Sequence, residues 1–197
     1  SPTDSSTAPS VLALAEKGLI QARGRGGWVV VGHGVTEQVQ GPPSLTEWAA
    51  NHGYVVTSNV LAARVRTATE NEASDLRIEA STKVYELERV RMVEGIPLSL
   101  DLSVLHPRLI PTMTGVDFTS RSLYGTIRER AGLIASRAEV VIRALSASDR
   151  VAGLLTIAAG EPLLELHELT FDQYEEPFET SWLVNRGDRY AFATTLS

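Results

Sequence analysis

Two runs of alternating residues, KVYELERVRMV (83–93) and PLSLDLSVL (97–105), flank the dipeptide Glu94-Gly95. Successive side chains of a strand point to opposite faces, and a short glycine-bearing break between two such runs signals a hairpin. Leu87, Arg89, Arg91 and Val93 therefore share one face. The spacing predicts a turn of three residues, Glu94, Gly95 and Ile96. Val93 then faces Pro97, Arg91 faces Ser99 and Arg89 faces Asp101, while Leu98, Leu100 and Leu102 join Val90 and Met92 on the other side. A two-residue turn would shift the register by one and send Asp101 to the wrong face. The hairpin thus has one apolar side and one side carrying two guanidinium groups. A buried guanidinium without a partner is costly, so each must meet an anion. Asp101 could serve, in an internal salt-bridge network. A ligand could serve as well, because the arginine fork matches phosphate and carboxylate geometry. Glu86 and Glu88 share the opposite face, where solvation is their default role.

Further strands are expected at TSNVLAARVRT (57–67), AEVVIRALSA (138–147), PLLELHELTF (162–171), PFETSWLV (177–184) and within NRGDRYAFATTL (185–196). Helices are expected at 45–52, where Ser44 and Glu47 have capping-box spacing, and within ENEASDLRI (70–78). TSRSLYGTIRERAG (119–132) reads as a helix capped by Thr119 or Ser120 and stopped by Gly132. SASDRVAGLLTIAAG (146–160) reads as another, capped by Ser146 or Ser148 and ending near Gly160. The start of the SRSLY helix offers free backbone N–H groups and the hydroxyls of Ser120 and Ser122, a second attraction for an anion. The count gives an α+β fold, an antiparallel sheet with flanking helices and no internal repeat.

The N-terminal fifth is different. SVLALAEKGLI reads as a helix ended by Gly18, followed by LIQARGRGGWVVV, two β-prone stretches around a glycine-rich tip. Helix then hairpin is the back half of a winged helix. Arg23, Arg25 and Gly26 at such a tip suit close approach to a DNA backbone, and equally suit an ordinary solvated turn. GHGVTEQVQGPP (32–43) reads as a linker.

Bulk properties narrow the classes. The 197 residues are 43% hydrophobic and 21% charged, ordinary for a globular chain. The net charge of −6 argues against a generally basic nucleic-acid binder. Residues 1–35 hold Lys17, Arg23 and Arg25 against Asp4 and Glu16, which is +1 and leaves −7 on the rest. Contact with phosphates would have to come from the N-terminal piece. Cysteine is absent, which rules out disulfides and thiolate zinc and fits a cytoplasmic location. His33, His52, His106 and His167 show no metal-ligand spacing, so neither metal nor cofactor is expected. His167 in a strand reads as a packed or surface residue before it reads as a base. Trp182 and Tyr190 read as core or interface residues. No apolar run approaches membrane-spanning length.

The order of these signals resembles a known family. LAEKGLIQARGRGGWVV resembles the end of the winged-helix domain of GntR-type transcriptional regulators. LERVRMVEGIPLSLDLSVL, SLYGTIRERAG, AGEPLLELHELTFDQYEEPFETS and RGDRYAF resemble, in order and spacing, the UTRA effector-binding domain of the HutC group. The resemblance implies a chorismate-lyase-like antiparallel sheet at 44–197, a linker at 34–43, and the C-terminal part of a winged helix at 1–33. It implies that Arg89, Arg91 and Ser122 hold an anionic effector, often a sugar phosphate, and that Asp101 and Glu179 accept hydrogen bonds from its hydroxyls or amine; Ser120 joins them from the helix start. Two further helices of a complete reading head would precede this chain, so operator DNA is a partner of the complete winged helix, and a palindromic operator implies a homodimer. The expected activity is regulation rather than catalysis. A chorismate-lyase-like enzyme acting on a small carboxylic acid, and a dimerising ligand-binding module without DNA binding, are the alternatives.

Overall fold

The structure, a computed structural model, describes residues 20–23, 27–30, 35–38, 45, 46, 49 and 53–193. The chain forms two compact units, 1–35 and 36–197. In the first, β1 (Ile20–Arg23) and β2 (Gly27–Val30) pair antiparallel with Arg23 opposite Gly27, which is the expected hairpin. The tip residues Arg25 and Gly26 lie outside the described residues, as does the SVLALAEKGLI helix.

The second unit is built on a six-stranded antiparallel sheet. Its strands are β4 (Val56–Thr67), β5 (Lys83–Val93), β6 (Ile96–Leu105), β7 (Arg137–Ser146), β8 (Pro162–Phe171) and β9 (Pro177–Arg186), in the spatial order β4-β5-β6-β9-β8-β7. Helices α1 (Glu70–Asp75), α2 (Ile110–Met113), α3 (Leu123–Ala131) and α4 (Asp149–Leu155) connect them. The stretch expected as a linker holds β3 (Val35–Gln38), which pairs with β10 (Tyr190–Ala193) in a small separate sheet.

Alternation divides the sheet into two differently furnished faces. On the face shared with the arginines, Tyr85, Leu87 and Leu105 pack with Leu109, Met113, Phe118, Leu123, Ile127 and Phe178, so α2 and α3 cover that end. On the opposite face Val90, Leu100 and Leu163 pack with Ala152 and Leu155 of α4, while Val84 and Val104 pack with Ala73 of α1 and Leu76. Full burial of one such leucine contributes about 1.5–3 kcal/mol, which is why the parity of these strands is fixed so firmly.

The β5–β6 connection differs from the expected three-residue turn. Val93 pairs directly with Ile96, so the turn holds only Glu94 and Gly95. Both have positive φ, 50° and 77°, the signature of a type I′ hairpin turn. The register is nevertheless the expected one further in, with Arg91 opposite Ser99 and Arg89 opposite Asp101. A bulge reconciles the two. Met92 pairs with Pro97 and Arg91 with Ser99, leaving Leu98 as the extra residue. Glu94 also reaches outside the hairpin. Its N–H donates to the Val55 carbonyl at 3.0 Å, and its side chain accepts from the Val55 N–H at 2.6 Å.

Helix boundaries differ in detail as well. The N-cap of α3 is Ser122, not Thr119 or Ser120, and its hydroxyl accepts from the Gly125 N–H at 3.1 Å. The Thr119 carbonyl is engaged instead by the Ser58 N–H of β4 at 2.7 Å. Gly132 ends the helix in the left-handed conformation as expected. Ser148 caps α4, and the helix stops at Leu155, well before Gly160, because Thr156 takes the left-handed conformation.

Candidate effector site

The site grows from two rows of residues running across the sheet. In one, Ser58, Arg91, Ser99 and Asn185 stand side by side on β4, β5, β6 and β9. In the next, Val60, Arg89, Asp101 and Leu183 do the same. Directly opposed residues of an antiparallel pair project to the same face, so the two guanidinium groups and the Asp101 carboxylate share one surface. All three are enclosed, with Arg89 3% and Arg91 6% exposed. Ser103 and Glu179 extend the same face toward α3 and are buried too.

The two arginines are satisfied to different degrees. Arg91 Nη2 donates to Thr46 Oγ1 at 2.8 Å, and its Nη1 lies 3.6 Å from Asp101 Oδ2. Asp101 Oδ1 in turn accepts from the Ser99 hydroxyl at 2.5 Å. Arg89 makes a cation–π contact, its guanidinium carbon 5.9 Å from the Phe118 ring centre. Its Nε and Nη1, and the Nε of Arg91, find no acceptor among the described residues, although all three are buried. Three orphaned donors on adjacent charged groups are an unusual cluster, since buried polar atoms are nearly always bonded. Glu179 Oε2 is buried without a donor in the same way.

Desolvation sets the electrostatics. Burial pushes Arg89 down from the ordinary arginine value to about 10, Arg91 beside it adds to the fall, and Asp101 and Glu179 oppose it. Arg91 is lowered by burial and partly restored by Asp101. Burial raises Glu179, against the hydrogen bonds of Tyr124 and Ser103 and the charge of Arg89. The surroundings thus press the arginines and Glu179 toward neutrality. An anion between the arginines relieves the first strain, and a donor at Glu179 relieves the second.

Of the residues singled out in the sequence, Arg89, Arg91 and Asp101 are brought together. Glu179 lies on the same face, and its carboxyl is felt by Arg89. Ser122 caps α3 at the end of a segment that passes over this face, since Phe118 covers Arg89 and Thr119 binds the backbone of Ser58, opposite Arg91. Ser120 lies exposed on that segment. Thr46, Ser99, Ser103, Phe118 and Tyr124 were not singled out. Ser99 and Ser103 could have been, because they share the parity of Asp101. Thr46 carries no local signal.

His167 lies on the other face, opposite Trp182 in register. Its ring stacks on Trp182 with centres 4.7 Å apart, and its Nε2 is 3.1 Å from Thr180 Oγ1 and 3.4 Å from Asp75 Oδ2. It ties α1 to the sheet. No group of histidine and acidic residues that could hold a metal occurs among the described residues, and no helix among them is long and apolar enough to cross a membrane.

The unit is thus a six-stranded antiparallel sheet that buries two neighbouring arginines beneath the approach to a capped helix. Residues 51–191 match the model of the UTRA domain, and the chain belongs to that family of GntR-type regulators. It is 28% identical to the HTH-type transcriptional repressor NagR of Bacillus subtilis, over 91% of this chain and 73% of that protein. The crystal structure of PhnF from Mycobacterium smegmatis superposes with a TM-score of 0.79 at 28% identity, covering 93% of this chain and 80% of that one. That of the effector domain of PhnF from the same organism gives 0.75 at 27% identity, covering 83% and 99%. The relatives are regulators, which points away from the lyase reading.

Proposed function

We propose that this chain is the effector-binding part of a ligand-responsive transcriptional repressor, and that its effector is a small anionic metabolite such as a sugar phosphate. The observation that carries the reading is the set of three buried guanidinium nitrogens on Arg89 and Arg91 that have no acceptor among the described residues. A phosphate offers oxygens in the number and geometry to fill them. Asp101 and the open Glu179 Oε2 then receive hydroxyl or amine donors from the rest of the molecule, and the hydroxyls of Ser120 and Ser122 lie at the helix end that completes the grip. Operator DNA is bound by the complete winged helix, with Arg23, Arg25 and Gly26 at the wing, and two copies act together on a two-fold site. Ligand occupancy biases the spacing of the two reading heads.

A thermal-shift panel of phosphorylated sugars, inorganic phosphate and small carboxylic acids tests the pocket. A ligand at a hundred times its Kd stabilises by about 2.7 kcal/mol, a shift of several degrees for a chain of this size. At least one phosphorylated sugar is expected to give such a shift, and Arg89→Ala is expected to remove it. No shift from any member, or an undiminished shift in the variant, would overturn the assignment.

A further inference from the structure

Glu179 is set apart from the arginines and is furnished in its own way. On β9 it stands opposite Leu105 of β6 and Thr170 of β8. Ser103 lies one same-face step back along β6, between that row and the row of Arg89 and Asp101. Glu179, Thr170 and Ser103 are all buried. Tyr124 comes down on them from the first turn of α3. Its ring meets Phe178 edge-on, with centres 6.2 Å apart and planes at 73°.

The hydrogen bonds of this group run in one direction. The Tyr124 hydroxyl lies 3.3 Å from Thr170 Oγ1 and is also bonded to Glu179. A phenol has one proton, and an ionised carboxylate only accepts. The Tyr124 proton therefore goes to Glu179, and Thr170 donates to the Tyr124 oxygen. Burial holds the phenol well above the ordinary tyrosine range, so it remains a donor at neutral pH. Ser103 donates to the same carboxyl. Glu179 Oε2 has no partner among the described residues, so both donors fall on Oε1. One oxygen of the carboxyl is held twice and the other not at all. Burial alone would favour the protonated form, and the two donors oppose it.

We infer that Tyr124 is a positioning residue for the effector site: it holds the Glu179 carboxyl in one orientation with Oε2 free, and so makes the site prefer anions that also carry a hydroxyl or amine over the bare anion. The inference rests on the effector reading above and adds the residue that sets its selectivity. The arginines and Glu179 ask for opposite things. A phosphate oxygen satisfies Arg89 and Arg91, whereas Oε2 needs a donor. A ligand with a phosphate at one end and a hydroxyl or amine at the other satisfies both. A carboxyl free to turn would present its acceptor only part of the time, and the ligand would have to fix it on binding.

Isothermal titration calorimetry on the full chain tests this, with inorganic phosphate, glucose 6-phosphate, fructose 6-phosphate and glucosamine 6-phosphate as probes. The readout is the preference, meaning the Kd of phosphate divided by that of the tightest sugar phosphate. The wild type is expected to prefer at least one sugar phosphate. Tyr124→Phe keeps the ring on Phe178 and removes only the hydroxyl. It is expected to lower the preference about tenfold, as for one hydrogen bond to a charged group, and to leave the Kd of phosphate within about twofold. Ser103→Ala removes the other donor and is expected to act in the same direction, which keeps the test open should Tyr124→Phe not fold. Glu179→Gln sets an amide where a donor must be received and is expected to abolish the preference. Adding Tyr124→Phe to it is expected to change nothing more, because the hydroxyl acts through the carboxyl. A purely structural tyrosine would weaken phosphate and sugar phosphates alike, and would do so in the Glu179→Gln background too. Either result, or an unchanged preference in Tyr124→Phe, would overturn the inference. Phosphate binding with no sugar phosphate preferred would overturn it as well and leave the arginine grip standing. Binding of none of the probes would overturn the effector reading itself, and this inference with it.

Discussion

Arg89 is held where a charge is least welcome. Its folded-state pKa, about 10, lies below the ordinary arginine value, so folding disfavours the protonated form. The stability tied to this group is present only above the ordinary arginine pKa and is lost as pH falls through about 10. At neutral pH the ligand-free protein therefore carries the whole burden. Such a residue is expected to serve binding at the expense of stability. Arg89→Met keeps the length of the side chain and discards the charge. Replacing a buried charge by an apolar group of similar volume is often neutral or stabilising, by up to about 4 kcal/mol. The ligand-free variant is expected to melt at or above the wild-type temperature in differential scanning calorimetry at pH 7, while its response to the panel is abolished. A clearly lower midpoint would mean that Arg89 is a structural partner of Asp101 and Glu179 rather than a ligand group. Arg91 is the contrasting case, because Thr46 and Asp101 already engage it and its removal would strand the carboxylate.

At the scale of elements, the hairpin that presents both arginines depends on a tight turn. Gly95 at φ 77° would carry an alanine Cβ into open space, so the penalty of Gly95→Ala is backbone strain alone. Gly153, inside α4 and exposed, also has open space around it but an ordinary helical backbone. The two alanine substitutions are expected to have opposite signs. Gly95→Ala should destabilise by about 1 kcal/mol or more, and Gly153→Ala should stabilise by about 0.5–1 kcal/mol, with midpoint changes of about 2–4 °C per kcal/mol. Equal signs in thermal melts would contradict the turn geometry. The turn also shows what was legible in the sequence. Alternation placed Arg89 against Asp101 and Arg91 against Ser99 correctly, although the turn is one residue shorter than the spacing suggested. The shorter turn and the Leu98 bulge offset one another, and strand parity is blind to both. The cap of α3 shows the converse. Thr119, Ser120 and Ser122 are equally good caps locally, and the choice is settled by β4, whose Ser58 engages the Thr119 carbonyl from 61 positions away in the chain. Thr46 is invisible for the same reason. Local pattern finds the arginines, and only long-range pairing finds what surrounds them.

For the whole molecule, the sheet separates tasks that would otherwise interfere. One face is given to α1 and α4 and holds two apolar clusters. The other holds an apolar end under α2 and α3 and a polar end that retains unspent donors. The pocket draws on β4, β5, β6 and β9, whereas β7 at the margin contributes nothing to it. Under the proposed function, a change in the pocket should therefore alter the response to ligand without altering the assembly that meets DNA. The sharpest case is again Arg89→Met, now in the full-length gene product with its complete winged helix. Operator affinity without ligand is expected to match the wild type, because the wing has not been touched. Addition of the strongest phosphorylated sugar from the panel is expected to change the operator affinity of the wild type by about 5–150-fold, the usual range of coupling between two sites, and to leave the variant unchanged. Gel-shift titrations with and without that compound decide the matter. A variant that still responds would remove Arg89 from the pocket, and a variant that no longer binds operator at all would show that pocket and assembly are not separable in this fold.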